Sequence, residues 1–264
     1  MKLNAPGSLN TLNQAQLQQD SLLKKLATAK RINSAADDAA GLQIANQLSS
    51  SINGKGQGER NLYDGISLAR VYEQGLQGIN DNLGELNRLA VAAGNGIYNA
   101  QDRAALQAEA DQYTANIQQV IDTTEFAGKK LFDQDGALSF GTGSGSLSFG
   151  TTNVASGLTA QNIFSIDLTS ADSAATALGN IQQSLDYVTG LQADAGASIN
   201  SFSAAARNLN GQQIAEATAR SRIEDLDFAR ASSGKVAADI LANTSVSVAL
   251  QARMQQQQAL ELLS

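Results

Sequence analysis

Two carboxylate clusters are the first places where this sequence could do chemistry. Asp37 and Asp38 are adjacent, and Glu224, Asp225 and Asp227 crowd a second short stretch. Paired carboxylates serve general acid-base catalysis or bind cations. The segment GTGSGS at 141–146 has the glycine content of a phosphate-wrapping loop, and Asn243-Thr244-Ser245 matches a glycosylation sequon. Each lacks what its chemistry requires. With no His and no Cys, the chain holds no Ser-His-Asp triad, thiol nucleophile, imidazole shuttle or Cys/His zinc site. Neither acidic cluster is read as having a basic or imidazole partner, so both are expected to be solvated charges near helix starts, where the dipole favours them. The glycine-rich loop lacks a following Lys and runs into another strand-like segment instead of a helix N-terminus. The sequon lies in an apolar stretch and reads as a chance match. Catalytic, cofactor and metal residues are therefore expected to be none.

Composition narrows the remaining classes. A formal charge of −7 argues against nucleic acid and anionic membrane as partners, since both reward clustered Lys and Arg. No run approaches the roughly 18 apolar residues of a membrane span, and the start, MKLNAPGSLNTLNQ, lacks the apolar core of a cleaved secretory signal. If the protein leaves the cell, it is expected to leave uncleaved by another route. The chain has 44 Ala and 26 Gln against 12 aromatic residues, which favours long helices packed through small side chains over a bulky globular core. A single Pro, at position 6, leaves such helices uninterrupted.

Periodicity supplies the elements. Leu62, Ile66, Ala69, Tyr72, Leu76, Ile79, Leu83, Leu86, Ala90, Ala93 and Ile97 step by alternating threes and fours, a coiled-coil seam. Leu42, Ala45, Leu48 and Ile52 continue it upstream, with a break or change of phase expected across Gly54–Gly58. A second helix carries Leu106, Ala110, Tyr113, Ile117 and Val120, entered by a short turn with Asn99 as its cap, which makes it the antiparallel neighbour of the first. The longest seam runs Ala174, Leu178, Ile181, Leu185, Val188, Ala195, Ile199, Phe202, Ala206 and Leu209, with Gln192 its one polar member. Between Gly136 and Ile166 no charge occurs, and Leu-Ser-Phe-Gly appears twice around a Gly-rich turn, the pattern of a β-hairpin; NIFSIDL reads as a third strand. Both chain ends are amphipathic and Gln-rich, and short helices of that kind are marginal alone. They read as segments that find partners.

Two segments then carry a resemblance. RINSAADDAAGLQIAN at 31–46 and SRIEDLDFAR at 221–230 closely resemble the paired N- and C-terminal signatures of bacterial flagellin, and NLYDGISLA, INDNLGELNRLAVAAGNG and NLNGQQIAEATARSRIEDLDFA extend the likeness everywhere but the middle. The resemblance implies a mainly α fold: a long antiparallel helical rod or coiled coil with paired terminal helices and a small central β-hairpin region. It implies a short form without the large variable outer domain, a structural protein and not an enzyme, exported by the flagellar type III pathway and polymerised into the extracellular filament for swimming. The segments expected are 1–43, the N-terminal inner helix and connector; 44–130, outer-shell helices; 131–170, the hairpin region; 171–222, the long outer-shell helix; and 223–264, connector and C-terminal inner helix.

Within that frame Leu9, Leu12, Leu23, Leu26, Ile240, Leu241, Val246, Val248, Leu250, Leu260, Leu262 and Leu263 are expected to bury against one another and against neighbouring subunits. Arg31, Asn33, Asp37 and Asp38 are expected to form a polar network joining inner and outer layers. Ala29 and Lys30 favour continued helix, which would stiffen that connection. Partners implied are further copies of the chain, an export chaperone, the filament cap and hook-junction proteins. An animal innate immune receptor for flagellin would read Glu85, Leu89 and Glu109, but Glu85 stands where recognised members carry Arg, a reversed charge that weakens recognition. The competing readings are a hook-filament junction protein and a secreted glycan-binding adhesin or ligand. The second is disfavoured because Phe140, Phe149 and Phe164 read as packed hairpin residues.

Overall fold

The computed structural model describes the backbone of residues 5–261; the side chains at 1–12, 15, 249, 252, 253, 256 and 259–264 lie outside the described residues. The helices are α1 (Ala5–Thr28), α2 (Ala35–Ala93), α3 (Ala100–Thr123), α4 (Val154–Ala160), α5 (Ala171–Glu224) and α6 (Phe228–Glu261). The strands are β1 (Glu125–Phe126), β2 (Lys129–Lys130), β3 (Gly136–Gly141) and β4 (Ser146–Thr151). Two compact units are formed, Asn53–Gln213 and the combination of Met1–Ile52 with Ile214–Ser264. The boundaries expected at 43/44 and 222/223 fall inside the continuous helices α2 and α5 and mark no break in secondary structure.

In the 53–213 unit the seams close as their spacing predicts. Leu62, Ala69, Leu76, Ile79, Leu83 and Leu86 of α2 are fully buried against Ile117 of α3 and Ala174, Ile181 and Val188 of α5. Ile97 is the exception: α2 ends at Ala93, and Ile97 sits in the following turn, 86% exposed. α3 runs back along α2, since Arg88 meets Glu109 near the turn while a Cβ on Gly75 would meet Thr124 Oγ1 at the far end. Its N-terminus is fixed by Asn99, whose Oδ1 accepts from the Gln101 and Asp102 amides while Asp102 accepts from the Asn99 amide. This capping box satisfies donors that the first helical turn leaves unpaired. α5 runs antiparallel to α2 as well. Near its middle Gln192 donates to Gln77 Oε1 at 3.2 Å and accepts from Asn80 at 3.4 Å, so the polar member of the seam meets amides.

The β3–β4 hairpin has the expected strands, with Leu138 opposite Phe149 and Phe140 opposite Leu147. Its phenylalanines face the helices. Phe149 packs edge-on against Tyr72 at 5.2 Å and Phe140 against Phe202 at 5.5 Å, geometry that occupies the rings in the core. The break expected at Gly54–Gly58 is absent, and α2 is helical throughout that stretch. Gly58 instead admits the hairpin loop: a Cβ there would strike the Thr142 backbone, and one on Gly143 of the loop, which has φ +80°, would lie 2.6 Å from the Gly54 carbonyl oxygen. The loss of helix propensity is the cost of close backbone approach. The third strand is also absent. Ile163–Ser165 form one 3-10 turn, with Ile163, Ile166 and Leu168 buried. The backbone groups a ladder would have paired are taken by one side chain, because Gln107 donates to the Ile166 carbonyl at 2.9 Å and accepts from the Leu168 amide at 2.7 Å.

In the other unit α1 and α6 pack along each other, with Ala231 and Ala238 buried and Gln19 donating to Asp239 at 2.7 Å. Helix does not continue through Ala29 and Lys30. Ala29 takes the left-handed conformation at φ +54°, which is strained for a residue with a Cβ. Two long-range backbone bonds hold it there, from the Leu226 amide to the Ala29 carbonyl and from the Arg31 amide to the Glu224 carbonyl.

Candidate assembly and connector sites

The terminal helices present their apolar residues outward. On α1 and α6, Leu23 is 43% exposed, Val246 45%, Leu250 56%, Ile240 59%, and Leu241 and Val248 61%; Leu26 is half-buried. Leu9, Leu12 and Leu260 lie on these helices by backbone, but their side chains are outside the described residues, as are Leu262 and Leu263 altogether. Pairing α1 with α6 therefore leaves both helices with uncovered apolar surface. Leu17, Val236 and Met254 belong to the same set and were not anticipated, although Val236 precedes Ile240 and Leu250 precedes Met254 by one helical step of four. No charge interrupts α6 between Asp239 and Arg253, so nothing on that stretch opposes apolar contact.

The connector residues form two back-to-back caps. Asp37 Oδ2 accepts from the Asn33 amide at 3.1 Å, the Ser34 amide at 3.0 Å and the Ser34 hydroxyl at 3.0 Å. The next residue, Asp38, has extended backbone within α2 and accepts from the Gly41 amide at 2.8 Å. The helix effectively restarts there, and Gly41 is required because a Cβ would lie 2.5 Å from Asp38 Oδ2 and 2.7 Å from the Cδ1 of buried Ile32. Asn33 donates to the Lys30 carbonyl, and the Arg31 guanidinium donates to the Ile223 carbonyl at 2.5 Å.

The expectation that neither acidic cluster has a basic partner is corrected for both: Asp37 lies 3.6 Å from Lys25 in the first, and the second has partners of its own. Glu224 is largely buried and forms an ion pair with Lys30; Arg220 lies 3.9 Å from its other oxygen and reaches Ser49. Asp225 accepts from Ser221, and Asp227 accepts from the Arg230 amide at the start of α6. Lys30 and Glu224 are far apart in sequence, so no local pattern announces the pair.

These caps hold the Asp37 carboxyl below the usual carboxylate range, chiefly through the Asn33 amide and then through Ser34, with the Lys25 ammonium 3.6 Å away adding attraction. A depressed value means the stabilisation is complete above the unfolded-state pKa and is lost as pH falls through the folded one. The Asn33 and Ser34 amides are expected to be released only as pH falls through the depressed folded-state value, below the ordinary carboxylate value of about 4. Hydrogen exchange across the acid titration reads this, and Asp37→Ala, which removes the acceptor, should show the released pattern already at neutral pH.

The glycine-rich loop and the sequon are structural. The 141–146 loop is the hairpin tip seated on α2. Thr244 and Ser245 of the sequon hydrogen-bond to carbonyls of their own helix. Glu85 pairs with Arg88 at 2.8 Å, and Arg88 also reaches Glu109 at 3.3 Å. Leu89 is fully buried and so is not part of that surface. Among the described residues no group of acidic side chains is placed to hold a metal ion, and no helix is long and apolar enough to cross a membrane.

Long helices around a closed seam, with apolar faces left open on the helices of both chain ends, define a structural subunit that associates through helices. Residues 3–137 match the family model for the bacterial flagellin N-terminal helical region, and residues 168–263 match that for the bacterial flagellin C-terminal helical region. The chain belongs to the bacterial flagellin family. It is 33% identical to a flagellin of Halalkalibacterium halodurans over 256 residues, covering 96% of this chain and 93% of that protein. It is 40% identical over 176 residues to the B-type flagellin of Pseudomonas aeruginosa, covering 66% of this chain but about a third, 33%, of that protein. The fold is shared with the crystal structure of Bacillus cereus flagellin, at TM-score 0.52 and 23% identity over 57% of this chain and 88% of that one. It is shared also with Bacillus cereus FlgL, at TM-score 0.53 and 16% identity over 67% and 98%.

Proposed function

We infer that this protein is the repeating subunit of a bacterial flagellar filament, a structural component of the extracellular propeller and not an enzyme. The observation that carries this reading is the open apolar surface on α1 and α6, within the two regions matched to the flagellin family. The partner is further copies of the chain, whose helices carry the same apolar and uncharged faces. Electron micrographs of shed appendages labelled with an antibody to this chain test it, with continuous label along filaments expected. A single labelled band at the filament base would favour the hook-filament junction reading instead, and unlabelled filaments would exclude both.

Export through the flagellar type III pathway, with a chaperone and a distal cap, follows from that reading, and the connector network of Arg31, Asn33, Asp37 and Asp38 is proposed to couple inner and outer layers. Recognition by the innate flagellin receptor is proposed to be weak, because Glu85 places a carboxylate beside Arg88 and neutralises it. In a receptor reporter assay Glu85→Arg should raise the signal; equal strong signals from both proteins would sink the idea.

A further inference from the structure

The sequence contains three Asn-Gly pairs, Asn53-Gly54, Asn95-Gly96 and Asn210-Gly211, and the fold treats them differently. All three asparagines are exposed. Asn53 and Asn210 lie inside α2 and α5, where the glycine amide is committed to the helical ladder and the backbone is held at helical dihedrals. Asn95 lies in the turn between α2 and α3, outside any helix.

In that turn four features converge on one peptide bond. The Asn95 side-chain oxygen accepts from the Ile97 amide at 3.1 Å, which folds the carboxamide back over the Gly96 peptide and withdraws electron density from its carbonyl carbon. Gly96 N–H donates no hydrogen bond among the described residues. The space around Gly96 is open to 4 Å where a side chain would stand. The carbonyl oxygen of the Asn95-Gly96 peptide accepts from the Arg103 guanidinium at 3.1 Å and from the Tyr98 amide at 3.3 Å. When a peptide N–H is deprotonated the charge spreads onto its carbonyl oxygen, so a cationic donor at that oxygen stabilises the anion. Arg103 is itself held by a 2.9 Å bond to the Ala93 carbonyl at the end of α2.

We propose that Asn95 is a self-modifying position, deamidating through a cyclic imide with Gly96 under the influence of Arg103. Hydroxide removes the Gly96 amide proton, and the nitrogen attacks Asn95 Cγ. The N–Cγ bond forms, the Cγ–Nδ2 bond breaks, and the side-chain nitrogen leaves as ammonia after taking a proton from water. Water then opens the five-membered ring at either carbonyl, leaving an aspartyl or an isoaspartyl linkage at position 95. The net change consumes one water and releases one ammonia. It adds a negative charge beside Arg103 and the exposed Ile97 and Tyr98.

Full-length protein held in warm, mildly alkaline buffer and mapped by peptide mass spectrometry, with fragmentation that separates isoaspartate from aspartate, tests this. Position 95 should convert about tenfold or more faster than 53 and 210, because the helix ladder restrains their glycine amides. After denaturation the three rates should converge. Gly96→Ala, which meets no atom and needs no left-handed backbone, should slow conversion about tenfold by crowding the attacking nitrogen. Arg103→Gln should slow it about threefold or more at position 95 alone, by removing the charge-assisted bond. Conversion at 95 no faster than at 53 and 210 in the folded protein would overturn the proposal, and an unchanged rate in Arg103→Gln would remove Arg103 from it.

Discussion

Removing the residues before Ile32 and after Arg230 abolishes filament formation and leaves a soluble, helical monomer: this is the expected result of truncating both ends together. The deletion takes away α1 and nearly all of α6, and with them Leu23, Ile240, Leu241, Val248, Leu250 and Met254, all of them substantially exposed. Full burial of one such side chain is worth roughly 1.5–3 kcal/mol, and each subunit of a polymer recovers a share of that at every neighbour it meets. The 53–213 unit depends on none of them. Its core closes on its own residues, from Leu62 and Tyr72 through Ile117 to Ile181 and Phe202. Sedimentation and electron microscopy read the first half of the prediction, circular dichroism the second. Truncated protein that polymerised as readily as the full chain would refute the assembly role of the ends, and an unfolded remainder would refute the autonomy of the core.

The second large effect is a reversal of sign between two glycines four residues apart. Gly54→Ala should stabilise the protein by about 0.5–1 kcal/mol, because its new Cβ points into open space and the helix gains propensity. Gly58→Ala should destabilise it by about 1–3 kcal/mol, because its Cβ collides with the Thr142 backbone, with the Thr142 Cα only 2.6 Å away, and a backbone cannot swing aside as a side-chain tip can. Thermal unfolding followed by circular dichroism should move in opposite directions for the two variants. Movement in the same direction would mean that the hairpin loop does not seat on α2.

The same glycines show where the sequence could be read and where it could not. The Leu62–Ala93 seam was legible because a 3.5-residue period is local information, and nearly every position it marked is buried. Asn99 was legible for the same reason, since a cap and its helix are contiguous. Gly54 and Gly58 look alike to a local reading, which has only propensity to go on; what separates them is Thr142, far along the chain, which the Cβ of Gly58 would strike and that of Gly54 would not. NIFSIDL was mistaken for a strand because its apolar spacing fits either state, and the deciding group, Gln107, sits on another helix. At the connector Asp37 was legible only as a polar position; its capping bond with Ser34 and the pair of Lys30 with Glu224 came from the fold. Leu89 comes to the receptor surface by resemblance alone, yet it lies one helical step of three after the seam position Leu86 and is buried with it.

The contact of Gln192 with Gln77 and Asn80 has an environmental consequence. Amides neither titrate across the acid and alkaline range nor attract counterions, so this part of the alignment of α5 on α2 carries no ionic contribution for brine or acid to erase. The connector is built the other way, from Asp37 and its donors and from Lys30 with Glu224. An organism's surroundings can therefore tune the connector chemically while the mid-seam register stays indifferent to them.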